Sequence, residues 1–223
     1  MFGEAANLLD EKEPKHRVAL GYLLAGRAWC HSRLGYGDAA IEDLAQTSLK
    51  LLEPASELEG QLWALSALGF SARYKGDYKL AQKYSLITLE LARSQKDTPL
   101  IADCYSDLAG IEQLIGDYKI AVAYVEQALT LYREANDYGG ECWSLGFLGI
   151  LELRQGHVDE AESLLQRALI LAEESKGQRW RTLYQTAALH TGAAPPKEEQ
   201  PCKILFITHL GFVAAERGQF EEA

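Results

Sequence analysis

Apolar residues recur at steps of three and four along most of the chain, and each such stretch predicts one face of an amphipathic helix. Between residues 99 and 115 the apolar positions are Leu100, Ile101, Cys104, Leu108, Ile111, Leu114 and Ile115. Gly116 then breaks the pattern, and Asp117 stands where its carboxylate can cap the next helix. That helix is predicted over about residues 118–134, with its own apolar stripe of Ala121, Val122, Val125, Ala128, Leu129 and Tyr132. This stretch therefore predicts a pair of helices.

The same pair returns along the chain, marked each time by a small residue, a glycine seven positions later and an alanine five positions after that. The five copies are Ala28-Gly35-Ala40, Gly69-Gly76-Ala81, Ala109-Gly116-Ala121, Gly149-Gly156-Ala161 and Gly211-Gly218-Ala223. The middle glycines are 41, 40, 40 and 62 residues apart. A fixed period in this range indicates stacked repeats, in which each unit buries its apolar face against its neighbours. The small residues are predicted to lie where the paired helices approach most closely.

Two further helix starts carry capping signals. Ser56-Glu57-Leu58-Glu59 has the capping-box pattern and predicts the start of the first helix of the second unit. Asp97-Thr98-Pro99 predicts the start of the first helix of the third unit, where proline is tolerated in the first turn.

The chain is predicted to be a single array of such units, at about residues 15–54, 55–96, 97–136, 137–176 and an incomplete 201–223. Residues 1–12 are predicted to be the second helix of a preceding unit, because Phe2-Gly3-Glu4-Ala5 resembles Phe220-Glu221-Glu222-Ala223. Residues 178–200 are an insertion, for which a tolerated surface excursion is favoured over a binding loop. Because no polar cap closes either end, the chain is predicted to be a fragment of a longer protein.

The small residues carry a family resemblance. Leu148-Gly149, Gly156, Ala161 and Ala168-Leu169 resemble the tetratricopeptide repeat pattern of leucine-glycine, glycine, alanine and alanine-leucine, and the other units match it in part. The period near 40 residues departs from the usual ~34. Thr47 and Thr88 replace one alanine, and Arg27 replaces the leucine of the first unit. The resemblance implies an all-α, superhelical solenoid of antiparallel helix pairs.

Composition argues against several classes of function. The net charge is −10 without a block of Lys or Arg, which is unlike a nucleic-acid binder or a protein held on anionic membranes. No signal peptide and no apolar run of about 18–20 residues is present, so a cytoplasmic protein is expected. The four cysteines are far apart, which predicts reduced, mostly buried thiols rather than disulfides or a zinc site. They are Cys30, Cys104, Cys142 and Cys202.

No catalytic constellation is recognisable. The chain has no phosphate-binding glycine loop, no H-E-x-x-H and no G-x-S-x-G motif, and its five histidines are scattered. We therefore expect no catalytic residue, no cofactor and no metal ion, and a protein that is not an enzyme.

The resemblance implies a concave groove lined by the first helix of each unit. One inward position holds Trp29, Phe70, Gly110, Ile150 and Phe212, and Gly110 and Gly146 are candidates for a pocket floor. Aromatic residues and arginine are typical of binding hot spots, although any single aromatic residue could instead fill a helix–helix contact. The candidate groove residues are Tyr22, Trp29, Arg33, Trp63, Phe70, Arg73, Tyr74, Asp103, Trp143, Phe147, Arg154 and Phe212.

The favoured function is a protein–protein interaction scaffold whose groove takes a protein or peptide segment. The unit length and the turn at residues 133–143 are similar to arrays in bacterial multidomain regulators that carry a STAND-type signal-transduction ATPase. The resemblance thus implies the sensor segment of a signalling or transcription regulator. The alternative is a sensor that binds a small molecule or short peptide in the groove. A third hypothesis is self-association through the uncapped ends.

Overall fold

The computed structural model describes residues 13–33 and 39–174 of the 223-residue chain, and at Pro14, Lys15, Arg33, Ala39, Glu173 and Glu174 it describes the backbone alone. The predicted preceding helix, the insertion at 178–200 and the last unit lie outside these residues. So do Phe212, Cys202 and the first repeat glycine, Gly35.

Within the described residues the chain forms α-helices and one short 3₁₀ turn, and no strand. The helices are α1 (Pro14–Arg33), α2 (Ala39–Leu52), α3 (Leu58–Tyr74), α4 (Tyr78–Gln95), α5 (Thr98–Ile115), α6 (Tyr118–Glu134), α7 (Tyr138–Gln155) and α8 (Val158–Glu174). The 3₁₀ turn, Glu53–Ala55, follows α2. The all-α fold class is confirmed.

The helices belong to two compact units, each described by itself. Unit 1 holds described residues 13–33 and 39–96, and unit 2 holds described residues 97–174. In unit 1, α1 packs on α2, α3 packs on α4, and α3 also contacts both α1 and α2. In unit 2, α5 packs on α6, α6 on α7, and α7 on α8. Turns of two or three residues join α3 to α4, α5 to α6 and α7 to α8, so the paired helices run antiparallel.

The paired helices approach most closely at the predicted small residues. A Cβ atom at Gly149 would lie 2.8 Å from Cγ of Leu165 and 3.1 Å from the carbonyl oxygen of Ala161, so α7 and α8 touch backbone to backbone here. At Gly69 the helices are less tightly packed, because a Cβ atom would lie 3.5 Å from Cβ of Tyr84 and 3.8 Å from the carbonyl oxygen of Ala81, which is ordinary van der Waals contact. The steric role predicted for the repeat glycine is therefore confirmed at Gly149, whereas the space at Gly69 would admit an alanine.

Aspartates begin four of the helices and confirm the predicted caps at Asp97 and Asp117. In each, Oδ1 accepts a hydrogen bond of 2.9–3.2 Å from the backbone N–H three residues later, which satisfies a donor that the helix leaves unpaired. The four caps are Asp77, Asp97, Asp117 and Asp137. Glycines with φ between 79° and 97° precede two of these aspartates and His157, where a left-handed backbone ends the first helix.

The capping box predicted at Ser56 is wrong. Ser56 has a left-handed backbone (φ 57°) and closes the preceding 3₁₀ turn, so α3 begins one residue later than the pattern indicates. Glu57 occupies the N-cap position, and its side chain makes no capping hydrogen bond. The side chain of Glu57 instead accepts a hydrogen bond from the hydroxyl of Tyr22.

Among the described residues, no helix combines the length and apolar character that crossing a membrane requires.

The three described cysteines are buried thiols, as predicted. The thiol of Cys142 donates a hydrogen bond to the carbonyl oxygen of Ala168 at 3.3 Å, across the α7–α8 pair. Burial raises the pKa of the Cys30 thiol from 9.0 to about 11, because the thiolate would lose its hydration inside unit 1.

Gly140, in the first turn of α7, is pressed against Tyr132 near the end of α6. A Cβ atom at residue 140 would lie 2.3 Å from Cδ1 of Tyr132. The ring is 2% exposed and its hydroxyl donates a hydrogen bond to Asp103, so it has no room to swing aside. Gly60 has the same relation to Leu52 in unit 1, where a Cβ atom would lie 2.5 Å from Cδ1. A large residue therefore faces a glycine at both junctions.

Gly140→Ala is expected to lower the free energy of unfolding by about 1–3 kcal/mol, because the added methyl group overpacks the Tyr132 ring. The better helix propensity of alanine offsets this by at most about 1 kcal/mol. The matched control is Gly26→Ala in α1, whose Cβ atom would lie 3.9 Å from Trp63 and is expected to be neutral or stabilising. Urea unfolding followed by circular dichroism measures both, and equal effects of the two variants would contradict the assignment.

Cys30 is expected to resist alkylation by iodoacetamide at pH 8 in the native protein. A thiol with a pKa of about 11 is roughly one-thousandth thiolate at this pH, against about one-tenth for a pKa of 9.0. The raised pKa also means that the stability associated with the protonated thiol is present below pH 9 and is lost as the pH rises towards 11. Peptide mass spectrometry with and without urea gives the rate at each cysteine, and equal rates at Cys30 in both conditions would refute the prediction.

Candidate functional site

The candidate groove residues of unit 1 lie on α1 and α3. Tyr22 and Trp29 are two helical turns apart on α1, and Trp63 and Phe70 are two turns apart on α3, so each pair shares one helix face. These four rings and the Arg73 side chain are all partly exposed. Together they are called the unit-1 face: Tyr22, Trp29, Trp63, Phe70 and Arg73. Two further candidates lie at helix ends, namely Tyr74, which is 64% exposed, and Arg33, whose side chain is outside the described residues.

Tyr22 and Trp63 join the two helices of the unit-1 face. Their ring centroids are 6.0 Å apart with an interplanar angle of 82°, an edge-to-face contact. Such pairs contribute about 0.5–1.5 kcal/mol beyond the area they bury. Both rings pack against the buried core of unit 1, and the indole also lies beside the backbone of Gly26. One part of each ring thus supports the fold while another part remains accessible.

The hydroxyl of Tyr22 binds the residue at the N-cap position of α3. It donates a hydrogen bond to Oε2 of Glu57 at 3.0 Å. Gly60 is three residues after Glu57, so its N–H is the donor that an aspartate at the N-cap would satisfy. Burial, followed by the hydrogen bond and charge of Glu57 and the charge of Glu59, raises the pKa of Tyr22 above 10.0, and the Gly60 amide opposes this.

Phe70 and Arg73 form the other end of the unit-1 face. The guanidinium carbon of Arg73 lies 5.0 Å from the centroid of the Phe70 ring, within the range of a cation–π interaction. Because the two residues are three positions apart on α3, this contact is built into one helix. It holds the guanidinium group over the ring.

The candidates of unit 2 are Asp103 on α5 and Trp143, Phe147 and Arg154 on α7. The rings of Trp143 and Phe147 are 6.3 Å apart and tilted by 42°. Phe147 is only 8% exposed and belongs to the core, whereas Trp143 remains partly exposed above it. Arg154 is exposed in the last turn of α7.

Asp103 is positioned by a residue from the second helix of its pair. Tyr132, on α6, donates a hydrogen bond to Oδ1 of Asp103, and Oγ of Ser106 lies 3.3 Å from the same hydroxyl. The phenol therefore passes through the core of unit 2 to hold a carboxylate on α5.

Sequence reasoning missed two residues of these sites. Glu57 stands where four other helices have a capping aspartate, and this exception was the signal that its carboxylate has another role. Tyr132 was predicted only as part of an apolar stripe. The corresponding positions 40 residues away hold Ala92 and Ala172, so its size and its hydroxyl are unusual for the repeat.

The structure thus brings the candidate residues together in pairs: Tyr22 with Trp63, Phe70 with Arg73, and Trp143 with Phe147. In the part of the chain that the structure describes, no group of three or more His, Cys, Asp or Glu residues is arranged to hold a metal ion.

Comparisons with known proteins identify the same kind of repeat in this chain. The family model for the tetratricopeptide repeat matches residues 60–134 and 121–174, together just over half of the chain. No curated protein matches the chain. Among solved structures, aspartyl phosphate phosphatase F from Bacillus subtilis has a TM-score of 0.68 and 11% identity, and the match covers 95% of this chain and 60% of that one.

Two other solved structures are similar. A signal transduction ATPase with numerous domains and a tetratricopeptide repeat sensor, from Pyrococcus horikoshii, has a TM-score of 0.63 and 16% identity over 97% of this chain and 32% of that one. A Rap protein complexed with competence and sporulation factor has a TM-score of 0.60 and 15% identity over 94% of this chain and 56% of that one. At these identities the likeness shows a shared fold.

Tyr22→Phe is expected to lower the free energy of unfolding by about 1–2 kcal/mol, because the Glu57 carboxylate loses its hydrogen-bond donor. Glu57→Asp in the same chain is expected to restore at least half of this loss, since aspartate at the N-cap can bond the Gly60 N–H directly. Urea unfolding of both variants and of Tyr74→Phe, an exposed control expected to be neutral, measures this. A Tyr22→Phe variant as stable as the parent, or no rescue by Glu57→Asp, would contradict this account of the start of α3.

Proposed function

The chain belongs to the tetratricopeptide repeat family, and on that premise we propose that it is a non-catalytic interaction scaffold whose first helices bind a protein or peptide segment. Proteins of this repeat fold bury one side of each helix pair within the array and present the first helices to partners. The proposed binding residues are those of the unit-1 face and, separately, Asp103, Trp143 and Arg154 of unit 2.

The partly exposed rings of the unit-1 face are the observation that carries the proposal. Tyr22, Trp63 and Phe70 are anchored at one edge, by the core or by Arg73, and stay accessible at the other. A rigid, half-exposed aromatic side chain loses little conformational entropy when a partner covers it, which is why such residues dominate binding energy. Phe147, which is buried, illustrates the purely structural alternative.

The similar structures support a binding role in signalling. The Rap protein was solved with competence and sporulation factor bound. The Pyrococcus horikoshii ATPase has a tetratricopeptide repeat sensor, and the match to this chain covers 32% of it. We infer by analogy that this chain serves as the sensor segment of a larger signalling regulator. The reading frame around the segment tests this inference, because an adjoining ATPase, DNA-binding or cyclase domain would support it and a stand-alone gene would refute it.

Peptides selected from a random phage library on the immobilised chain are expected to bind through these faces. Phe70→Ala and Trp143→Ala, one in each unit, should each weaken some selected peptides at least about fivefold, since hot-spot aromatics contribute more than about 1 kcal/mol. Fluorescence polarisation gives the affinities, and circular dichroism checks that helical content is retained.

The controls are Leu86→Ala and Ile170→Ala, which remove exposed apolar side chains from second helices. Peptides that bind all four variants equally would place the binding surface elsewhere. If no peptide is selected while sugars or dipeptides raise the melting temperature, the small-molecule alternative replaces the scaffold.

A further inference from the structure

The unit-1 face has opposite charges at its two ends. Glu57 precedes the first turn of α3 and Glu59 lies within it, whereas Arg73 lies in the last turn. The rings of Trp63 and Phe70 occupy the same helix between these ends. The face is therefore an aromatic strip with an acidic and a basic terminus.

The acidic end has the chemistry of a site for a cation. Glu57 accepts the hydrogen bond from Tyr22, and neither Glu57 nor Glu59 forms an ion pair among residues 13–33 and 39–174. The perpendicular rings of Tyr22 and Trp63 form a corner, and the Glu57 carboxylate is bonded to the hydroxyl of Tyr22. Aromatic faces and an adjacent carboxylate are the groups that hold an ammonium or guanidinium ion.

The basic end has the chemistry of a site for a carboxylate. Arg73 lies over the Phe70 ring, and its guanidinium group forms no ion pair with the described part of the chain. The nearby Lys75 is different, because it is paired with Glu42 of α2. The contact with Phe70 holds the guanidinium group over the ring, and its forked N–H donors are the groups that bind a carboxylate in a bidentate manner.

The spacing of the two ends fits a short extended segment. Residues 57 and 73 are about 24 Å apart along α3, because a helix rises about 1.5 Å per residue. The charged groups are closer than this, because Arg73 lies over Phe70 and Glu57 binds Tyr22, whose ring lies beside Gly60. Residues 60 and 70 are about 15 Å apart along α3, which sets the lower end of the range. An extended peptide, which rises about 3.3 Å per residue, covers these distances in about five to seven residues.

We propose that the unit-1 face binds an extended peptide segment with a lysine or arginine about five to seven residues away from an aspartate or glutamate, and with apolar side chains between them. The basic residue lies in the corner of Tyr22, Trp63 and Glu57, and the acidic residue pairs with Arg73. The apolar residues cover Trp63 and Phe70. This inference rests on the proposed scaffold function and specifies the partner of the same face.

A set of acetylated, amidated ten-residue peptides tests the charge spacing on the full chain. Each peptide has one lysine and one glutamate in an Ala/Leu/Phe background, separated by one to eight positions and in both orders. Fluorescence polarisation is expected to show the tightest binding at separations of five to seven, at least about tenfold tighter than with adjacent charges.

A charge swap then identifies the residues involved. Arg73→Glu is expected to weaken the best peptide at least about tenfold, and replacing the peptide's glutamate with lysine should restore the affinity. The matched control, Arg93→Glu, makes the same change of net charge in the last turn of α4 and should leave the affinity unchanged. Glu57→Gln keeps an oxygen that can accept from Tyr22, and it should weaken the best peptide but not a version of that peptide in which the lysine is replaced by glutamine.

The outcomes separate this inference from the scaffold function. Peptides that bind regardless of charge spacing, or that respond to Arg73→Glu no more than to Arg93→Glu, would overturn the inference and leave the scaffold standing. Failure of every charged peptide to bind below about 1 mM would also overturn it. Failure of the proposed scaffold function would be seen in the separate phage selection. There, no selected peptide would bind more weakly to the Phe70→Ala or Trp143→Ala variant.

Discussion

The close approach of the two helices in each pair is the constraint on which the rest of the structure depends. At Gly149 a single Cβ atom would collide with Leu165 and with the carbonyl oxygen of Ala161. Because the backbones touch there, only one face of the first helix packs against its partner. The opposite face is left for neighbouring helices or for a ligand. The exposed aromatic residues of unit 1 follow from this division, since Trp63 and Phe70 lie outside the contact that Gly69 makes with α4.

At the junctions between successive helix pairs, a large residue of one helix packs against a glycine of the next. Leu52 faces Gly60 in unit 1, and Tyr132 faces Gly140 in unit 2. The contact in unit 2 has a chemical consequence, because the tyrosine that fills the space also donates a hydrogen bond to Asp103. One core residue thereby determines where a carboxylate stands on the candidate surface, so packing and recognition are coupled at this point.

Tyr22 couples packing and recognition in the same way in unit 1. Its hydroxyl holds the Glu57 carboxylate before the first turn of α3, and its ring forms the corner with Trp63. The acidic end of the unit-1 face consequently depends on one side chain of α1. At the other end of α3, Arg73 and Phe70 need no other helix, because their contact lies within one turn. The two ends of the proposed peptide site are thus stabilised by different means.

The helix pairs, the aspartate caps and the glycine turns could be predicted from the sequence, because each depends on residues within one or two helical turns of one another. The capping box at Ser56 failed for a related reason: a 3₁₀ turn of three residues shifted the start of α3 by one position. For the candidate site, the sequence predicted which residues lie on the first helices but not which of them are buried, so Phe147 and Trp143 looked alike. The bonds from Tyr22 to Glu57 and from Tyr132 to Asp103 join residues 35 and 29 positions apart, and only the packing of one helix on another decides which side chains meet over such separations.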